Sequence, residues 1–151
     1  MSTMCTISDV QEYQSDILEY GIQDFDNYFT KATNDILRML QIDWWMVERS
    51  KGRGTDLTVG TAFADFDTTK LDYTQFTRMA VFVTLGRYVY PALASFQPEG
   101  DKFAELMKHY NQEADREFEF ILRRGVRYDF DGDSVYQTEE QRPVNFGKLI
   151  R

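Results

Sequence analysis

Apolar side chains at Phe25, Phe29, Ala32, Ile36 and Met39 or Leu40 recur every three or four residues. That period paints one stripe on a helix and predicts one from about Ile22 to Gln41. A second stripe, Phe103, Leu106 or Met107, Tyr110, Ala114, Phe118 and Ile121 or Leu122, predicts a long helix from about Asp101 to Arg124, stopped by Gly125. Upstream, Ser8 with Gln11 reads as a capping box opening a short helix to about Tyr20, which Gly21 closes. Asp72 with Gln75 reads as another, and the run after it, "FTRMAVFVTLGRYVYPALASF", is apolar on more than one face. Such a helix is covered on several sides, within the domain or by a neighbour. Gly86 within it permits another backbone to come close, and Pro91 should end or kink it.

Between Ile42 and Lys70 the helical period is lost, and "SKGRGTDLTVG" is rich in glycine and polar residues. An irregular connection is expected over 42–70, with at most a short strand or hairpin in its Thr-rich part. Trp44 and Trp45 open it, one expected to anchor the loop on the helices and the other to stay partly exposed. After Gly125, β-prone pieces flank "DGDS", and the tail that follows is broken by Pro143. The expected fold is therefore mainly α: a small helical bundle with a long irregular middle loop, a short C-terminal β-hairpin-like element and an extended tail. Residues 1–125 form the helical domain in this reading, and 126–151 the hairpin and tail.

At 151 residues with 42% hydrophobic and 15% aromatic residues, the chain has enough apolar surface for one folded domain. Its net charge is −8, and Asp9, Glu12, Asp16, Glu19, Asp24 and Asp26 fall in the first thirty residues, where no Lys or Arg occurs. Tight nucleic-acid binding needs a basic patch, so this end argues against it. No apolar run reaches the length of a membrane span and the N-terminus lacks a signal-peptide pattern, so synthesis and retention in a cytosol are expected. The single Cys5 cannot form an internal disulfide and reads as an incidental thiol in a frayed terminus.

The stretch "DFDGDSVYQTEE" carries the one candidate for metal chemistry. Asp129, Asp131, Asp133 and Glu140 fall at positions 1, 3, 5 and 12 of a calcium loop. Position 6, normally glycine, is Ser134; Gly125 ends the entering helix early; and Pro143 interrupts any exiting one. The same residues alternate apolar and acidic around a Gly-containing turn, as a small hairpin does. Two readings stand: a tight turn, or a structural calcium ion held in an EF-like loop without flanking helices. No other cofactor is expected.

The sole histidine, His109, lies mid-helix beside Lys108, Tyr110 and Asn111 and reads as solvated. Asp65 with Asp67 and Glu139 with Glu140 are close in sequence, but nothing places them across a cleft. No phosphate loop, nucleophile elbow or zinc-protease motif occurs, and no enzymatic activity is expected.

Three segments together resemble the head-to-tail adaptor, or connector, proteins of tailed bacteriophages: "VQEYQSDILEYGIQDFDNYFTKATNDILRMLQ", "EADREFEFILRRGVRYDFDGD" and the closing "RPVNFGKLIR". The resemblance implies a structural virion protein of the neck, made in the bacterial host cytoplasm and without enzymatic activity. Its copies, usually about twelve, would close a ring under the portal by heterologous contacts. The ring would bridge portal protein to tail or to the next neck (stopper) protein, with genomic DNA passing through its lumen unbound and no membrane involved. The C-terminal segment would reach the portal, with Pro143, Val144, Phe146, Leu149 and Ile150 in an extended docking segment and Arg142, Lys148 and Arg151 as ion-pair donors. Phe76, Met79, Phe82, Val83, Tyr88 and Tyr90 are the expected subunit-interface residues, since their helix has apolar surface to spare.

Overall fold

Both long stripes form helices in the computed structural model, which describes residues 2–22, 24–47, 66–96, 100–129 and 133–136. In chain order the α-helices are α1 (Ile7–Gln11), α2 (Phe25–Leu40), α3 (Thr77–Val83), α4 (Tyr90–Phe96) and α5 (Gly100–Arg124). The protein is mainly helical, and no β-ladder longer than one bridge forms among the described residues. None of the described helices is long and apolar enough to cross a membrane.

Helix α2 buries Phe25, Phe29, Ala32, Ile36 and Leu40, the residues its stripe marks. It does not stop at Leu40. Gln41–Trp45 continue it as a π-helical turn, so the chain is helical past the point where the irregular connection was expected to begin. Both tryptophans are buried in that turn, against the expectation of one exposed ring. The extra residue of a π turn changes which side chains face inward, and here it turns two adjacent large rings toward the interior. The rest of the expected loop, 48–65, lies outside the described residues.

Helix α1 is shorter than expected and is capped differently. The Asp9 carboxylate accepts hydrogen bonds from the Thr6 amide at 2.7 Å and the Thr6 hydroxyl at 2.9 Å, so the local start is Thr6 with Asp9 rather than Ser8 with Gln11. The chain then makes a 3-10 turn over Ile17–Tyr20, and Gly21 closes it at φ 84°, a left-handed value glycine adopts without a Cβ clash. The expected Asp72–Gln75 box is also replaced. Asp72 accepts from the Thr74 amide and hydroxyl, while the Gln75 side chain donates to Gly125 O at 2.9 Å and accepts from Arg127 N at 2.8 Å.

Pro91 does not end its helix. Between α3 and α4 the chain makes a π-helical turn over Thr84–Val89, and helical structure then runs on to Phe96. The register change directly before the proline removes the demand for an α-type bond from its missing amide.

The chain groups into two units, Met1–Asn34 with Phe76–Glu119, and Asp35–Gln75 with Phe120–Arg151. In the first unit α1 packs on α3, and the interior is aromatic. Tyr90 stacks on Phe103 and Tyr110 with centroids 5.9 and 5.8 Å apart, and Tyr13 meets Phe82 edge-on. The N-terminus is tied in rather than frayed: Met4 and Cys5 are buried, Met4 N donates to the buried Thr33 hydroxyl at 3.0 Å, and Cys5 Sγ shares a hydrogen bond with Thr84 Oγ1 at 3.9 Å.

In the second unit, Val126, Arg127 and Tyr128 run antiparallel to Lys70, Leu71 and Asp72. Asp72 N donates to Arg127 O at 3.1 Å, Asp129 N donates to Lys70 O at 3.0 Å, and Leu71 pairs with Tyr128 as an isolated bridge. The first β-prone piece thus pairs with the segment before α3. The rest of the expected hairpin, 130–132 and the residues from 137 on, lies outside the described residues.

Candidate functional site

Tyr128 organises the second unit. Its ring, Trp44, Trp45 and Phe66 form a cluster in which all six centroid distances lie between 5.2 and 6.0 Å. Its hydroxyl accepts the Asp67 amide at 3.2 Å. Asp67 in turn caps the 3-10 turn Thr68–Lys70, and the Thr69 hydroxyl and amide hold its carboxyl below the usual carboxylate range. Arg127 Nη1 lies 3.4 Å from Asp72 Oδ2, adding an ion pair beside the bridge.

Directly after this anchored segment comes the acidic turn. Asp129 is buried, 6% exposed, and its two carboxylate oxygens accept the backbone amides of Asp133 at 3.1 Å and Ser134 at 2.8 Å. Asp133 Oδ1 accepts Val135 N at 2.9 Å. Ser134 has φ 65°, the left-handed conformation that a calcium loop asks of its position-6 glycine. The serine therefore does not prevent the sharp turn; the two amide bonds to Asp129 hold it in place. Beside the turn, burial and the carboxylates of Asp72 and Asp129 raise the Tyr136 phenol.

Of the four expected metal ligands, Asp129 and Asp133 are thus brought together through the turn, whereas Asp131 and Glu140 lie outside the described residues. Among the described residues no three His, Cys, Asp or Glu side chains converge on one point. The expected portal-docking residues, Arg142, Pro143, Val144, Phe146, Lys148, Leu149, Ile150 and Arg151, also lie outside the described residues.

The expected interface residues are placed differently from the expectation. Phe76, Met79, Phe82, Val83 and Tyr90 are buried by the chain itself. Tyr88 is half-buried and stacks on Tyr28 at 6.0 Å, with Lys31 Nζ near both rings. The surplus apolar surface of their helix is consumed internally, because helices flank it on more than one side in the first unit. His109 is exposed and rests against Tyr110.

No family model, curated protein or solved structure matches the chain.

Large apolar side chains do remain outside the interior. They are Tyr13 and Leu18 in the first unit, and Ile42, Met46, Phe120, Val135 and Tyr136 in the second. Sequence reasoning passed over them, although Phe120 carried a signal: it sits between Phe118 and Ile121, out of phase with the α5 stripe. These positions offer contact surface rather than a catalytic arrangement.

Proposed function

We propose that the chain is a structural adaptor of a tailed-phage neck, assembling as a ring between the portal and the tail or next neck protein while genomic DNA passes through the lumen. The observation that carries the reading is the set of large apolar side chains left exposed on both units of a chain whose interior is already filled. Single exposed apolar side chains also occur on monomers, but Leu18, Ile42 and Phe120 would each lose water contact where copies pack on them. The resembling segments support it further, since the first covers the end of α1, the 3-10 turn and α2, and the second covers the end of α5 and the start of the acidic turn. The acid-only N-terminal stretch suits a passage that DNA must traverse without adhering.

The test is to mix the full chain with the portal of the same phage and image the product by electron microscopy. A ring of the chain on the portal is expected. A chain that stays monomeric with portal and tail proteins present would overturn the reading.

The alternative reading, a calcium module at 129–140, draws on the left-handed Ser134 and the curled Asp129 turn. Calorimetric titration with calcium separates the two, because ring assembly on a portal does not depend on heat released by the metal.

A further inference from the structure

We propose that Thr3–Cys5 is a latch that swings out on a hinge at Thr6, and that the seam it uncovers takes the same segment of a second copy. The latch lies outside any helix, yet Met4 and Cys5 are only 3% and 2% exposed. It closes a seam in the first unit between α2 and the π turn Thr84–Val89, whose Tyr28 and Tyr88 stack on each other. Each wall of the seam offers the latch one hydroxyl that is itself fully buried. Thr33 Oγ1 accepts Met4 N at 3.0 Å, and Thr84 Oγ1 lies 3.9 Å from Cys5 Sγ. These partners stand 29 and 79 residues away in the sequence, so both contacts are tertiary and both are lost when the segment lifts.

The neighbouring bonds do not resist opening. Thr3 Oγ1 donates to Cys5 O at 3.0 Å, a bond inside the latch that travels with it. Thr6 is extended, at φ −126° and ψ 172°, and its amide and hydroxyl bond forward to Asp9. Helix α1 therefore keeps its cap when the latch is out. An opening confined to so few contacts costs less than unfolding the chain.

The open seam presents two hydroxyls and room for two apolar side chains, and the segment shaped for it is encoded in the chain itself. A second copy's latch makes the contacts that the first one made, so exchange alters the connectivity and leaves the interactions as they were. Copies side by side in a ring hold that segment at high effective concentration. The exchange rests on the ring reading for this proximity alone.

Cys5 is the only cysteine, which makes the full chain its own reporter. The native chain is mixed at high concentration with a chain carrying both Cys5→Ser and Thr84→Cys, and oxidised with copper phenanthroline in air, with and without the portal of the same phage. Neither chain holds both sulfurs of the Cys5–Thr84 contact, so that contact yields a disulfide only when the latch of one copy lies in the seam of the other. A mixed disulfide dimer in several-fold excess over the self-dimers of either chain is expected. Mixed dimer no more abundant than self-dimers, while a dilute Thr84→Cys chain closes within itself, would overturn the exchange. The latch is measured separately by the labelling of Cys5 with a thiol reagent in native buffer and rising urea. Labelling faster than global unfolding, with a weaker urea dependence, is expected, and labelling that follows global unfolding throughout would overturn the latch. If portal-bound rings still formed in either failing case, the adaptor reading would survive with a different contact. Mixed dimers without any ring on the portal would support the exchange and sink the adaptor reading.

Discussion

Gly86 and Asn111 meet backbone to backbone. A Cβ placed on Gly86 would lie 2.8 Å from Asn111 N and 2.6 Å from its Oδ1, and Asn111 Nδ2 donates to Gly86 O at 3.2 Å. The π turn over Thr84–Val89 and α5 approach this closely only because position 86 has no side chain. Gly86→Ala should therefore destabilise the protein by about 2 kcal/mol through overpacking. Asn111→Ala should cost about 1 kcal/mol, one hydrogen bond. Combining the two should not restore stability, because the Asn111 amide nitrogen still blocks the methyl. Urea unfolding of the four proteins checks this, and full rescue in the double variant would show that only the side chain was in the way.

The aromatic cluster in the second unit is expected to depend on the Tyr128 ring far more than on its hydroxyl. Tyr128→Phe keeps the ring and loses the acceptor for Asp67 N, and should cost about 1 kcal/mol. Tyr128→Ala removes the ring that touches Trp44, Trp45 and Phe66 and should cost about 3–5 kcal/mol. Tryptophan emission should shift to the red in the alanine variant alone. Equal losses for both variants would place the weight on the hydroxyl.

How much of this was legible in the sequence follows from what each signal encodes. The α2 and α5 stripes were readable because a period near 3.6 is written in which positions are apolar, and Gly125, at φ 102°, ends α5 where the pattern said. Gly86 was readable as a close approach for the same reason of missing bulk. Trp44 and Trp45 were not: the apolar period fades at that point, and the π turn that carries both rings leaves no mark in the pattern. The helix around Phe82 announced burial on several faces but not by what, since an apolar face fits its own chain as well as a neighbour. Ser134 in the left-handed region was hidden because serine seldom goes there, and the hydrogen bonds that the Asp133 and Ser134 amides donate to the Asp129 carboxylate have no signature in the apolar pattern.

Tyr90 offers a test of a buried polar atom. Its hydroxyl is buried with no hydrogen-bond partner among the described residues, and burial raises the phenol well above its ordinary range. Tyr90→Phe should leave stability unchanged or raise it by about 1 kcal/mol, because a desolvated hydroxyl is removed while both ring stacks remain. Thermal unfolding measures it, and a loss exceeding about 1 kcal/mol would show that the hydroxyl is held by a partner.

Cys5 should make the fold sensitive to alkali. Burial pushes its thiol from 9.0 up to about 12, against a smaller lowering by the Thr84 hydroxyl. The folded state thus holds the proton more tightly than the unfolded chain. The contribution is complete below pH 9.0 and is lost as the pH climbs toward 12. In that window stability should fall by on the order of 1 kcal/mol per pH unit from this group. Cys5→Ala should flatten this part of the profile while lowering stability at neutral pH, and a thiol reagent should react only as fast as the native chain opens. An unchanged alkaline slope in the variant would assign it to other groups.

The acidic turn yields the most decisive comparison, because its two readings place different demands on the same residues. In both, Ser134→Gly relieves a left-handed serine and should stabilise the protein by about 1 kcal/mol. Asp129→Ala strips two backbone amides of their acceptor and should be destabilising without any metal, by about 1–3 kcal/mol. The readings part when calcium is added. If the turn is complete in itself, titration of the native chain gives no heat and no rise in melting temperature, and Ser134→Gly changes neither result. If an ion is held, Asp129, Asp131, Asp133 and Glu140 supply its oxygens, and calcium must raise the melting temperature of the native chain in proportion to saturation. In that case Glu140→Gln, which removes the bidentate charge at position 12, should abolish the rise. A rise that survives Glu140→Gln would point to ion binding elsewhere and remove the EF-like loop from consideration.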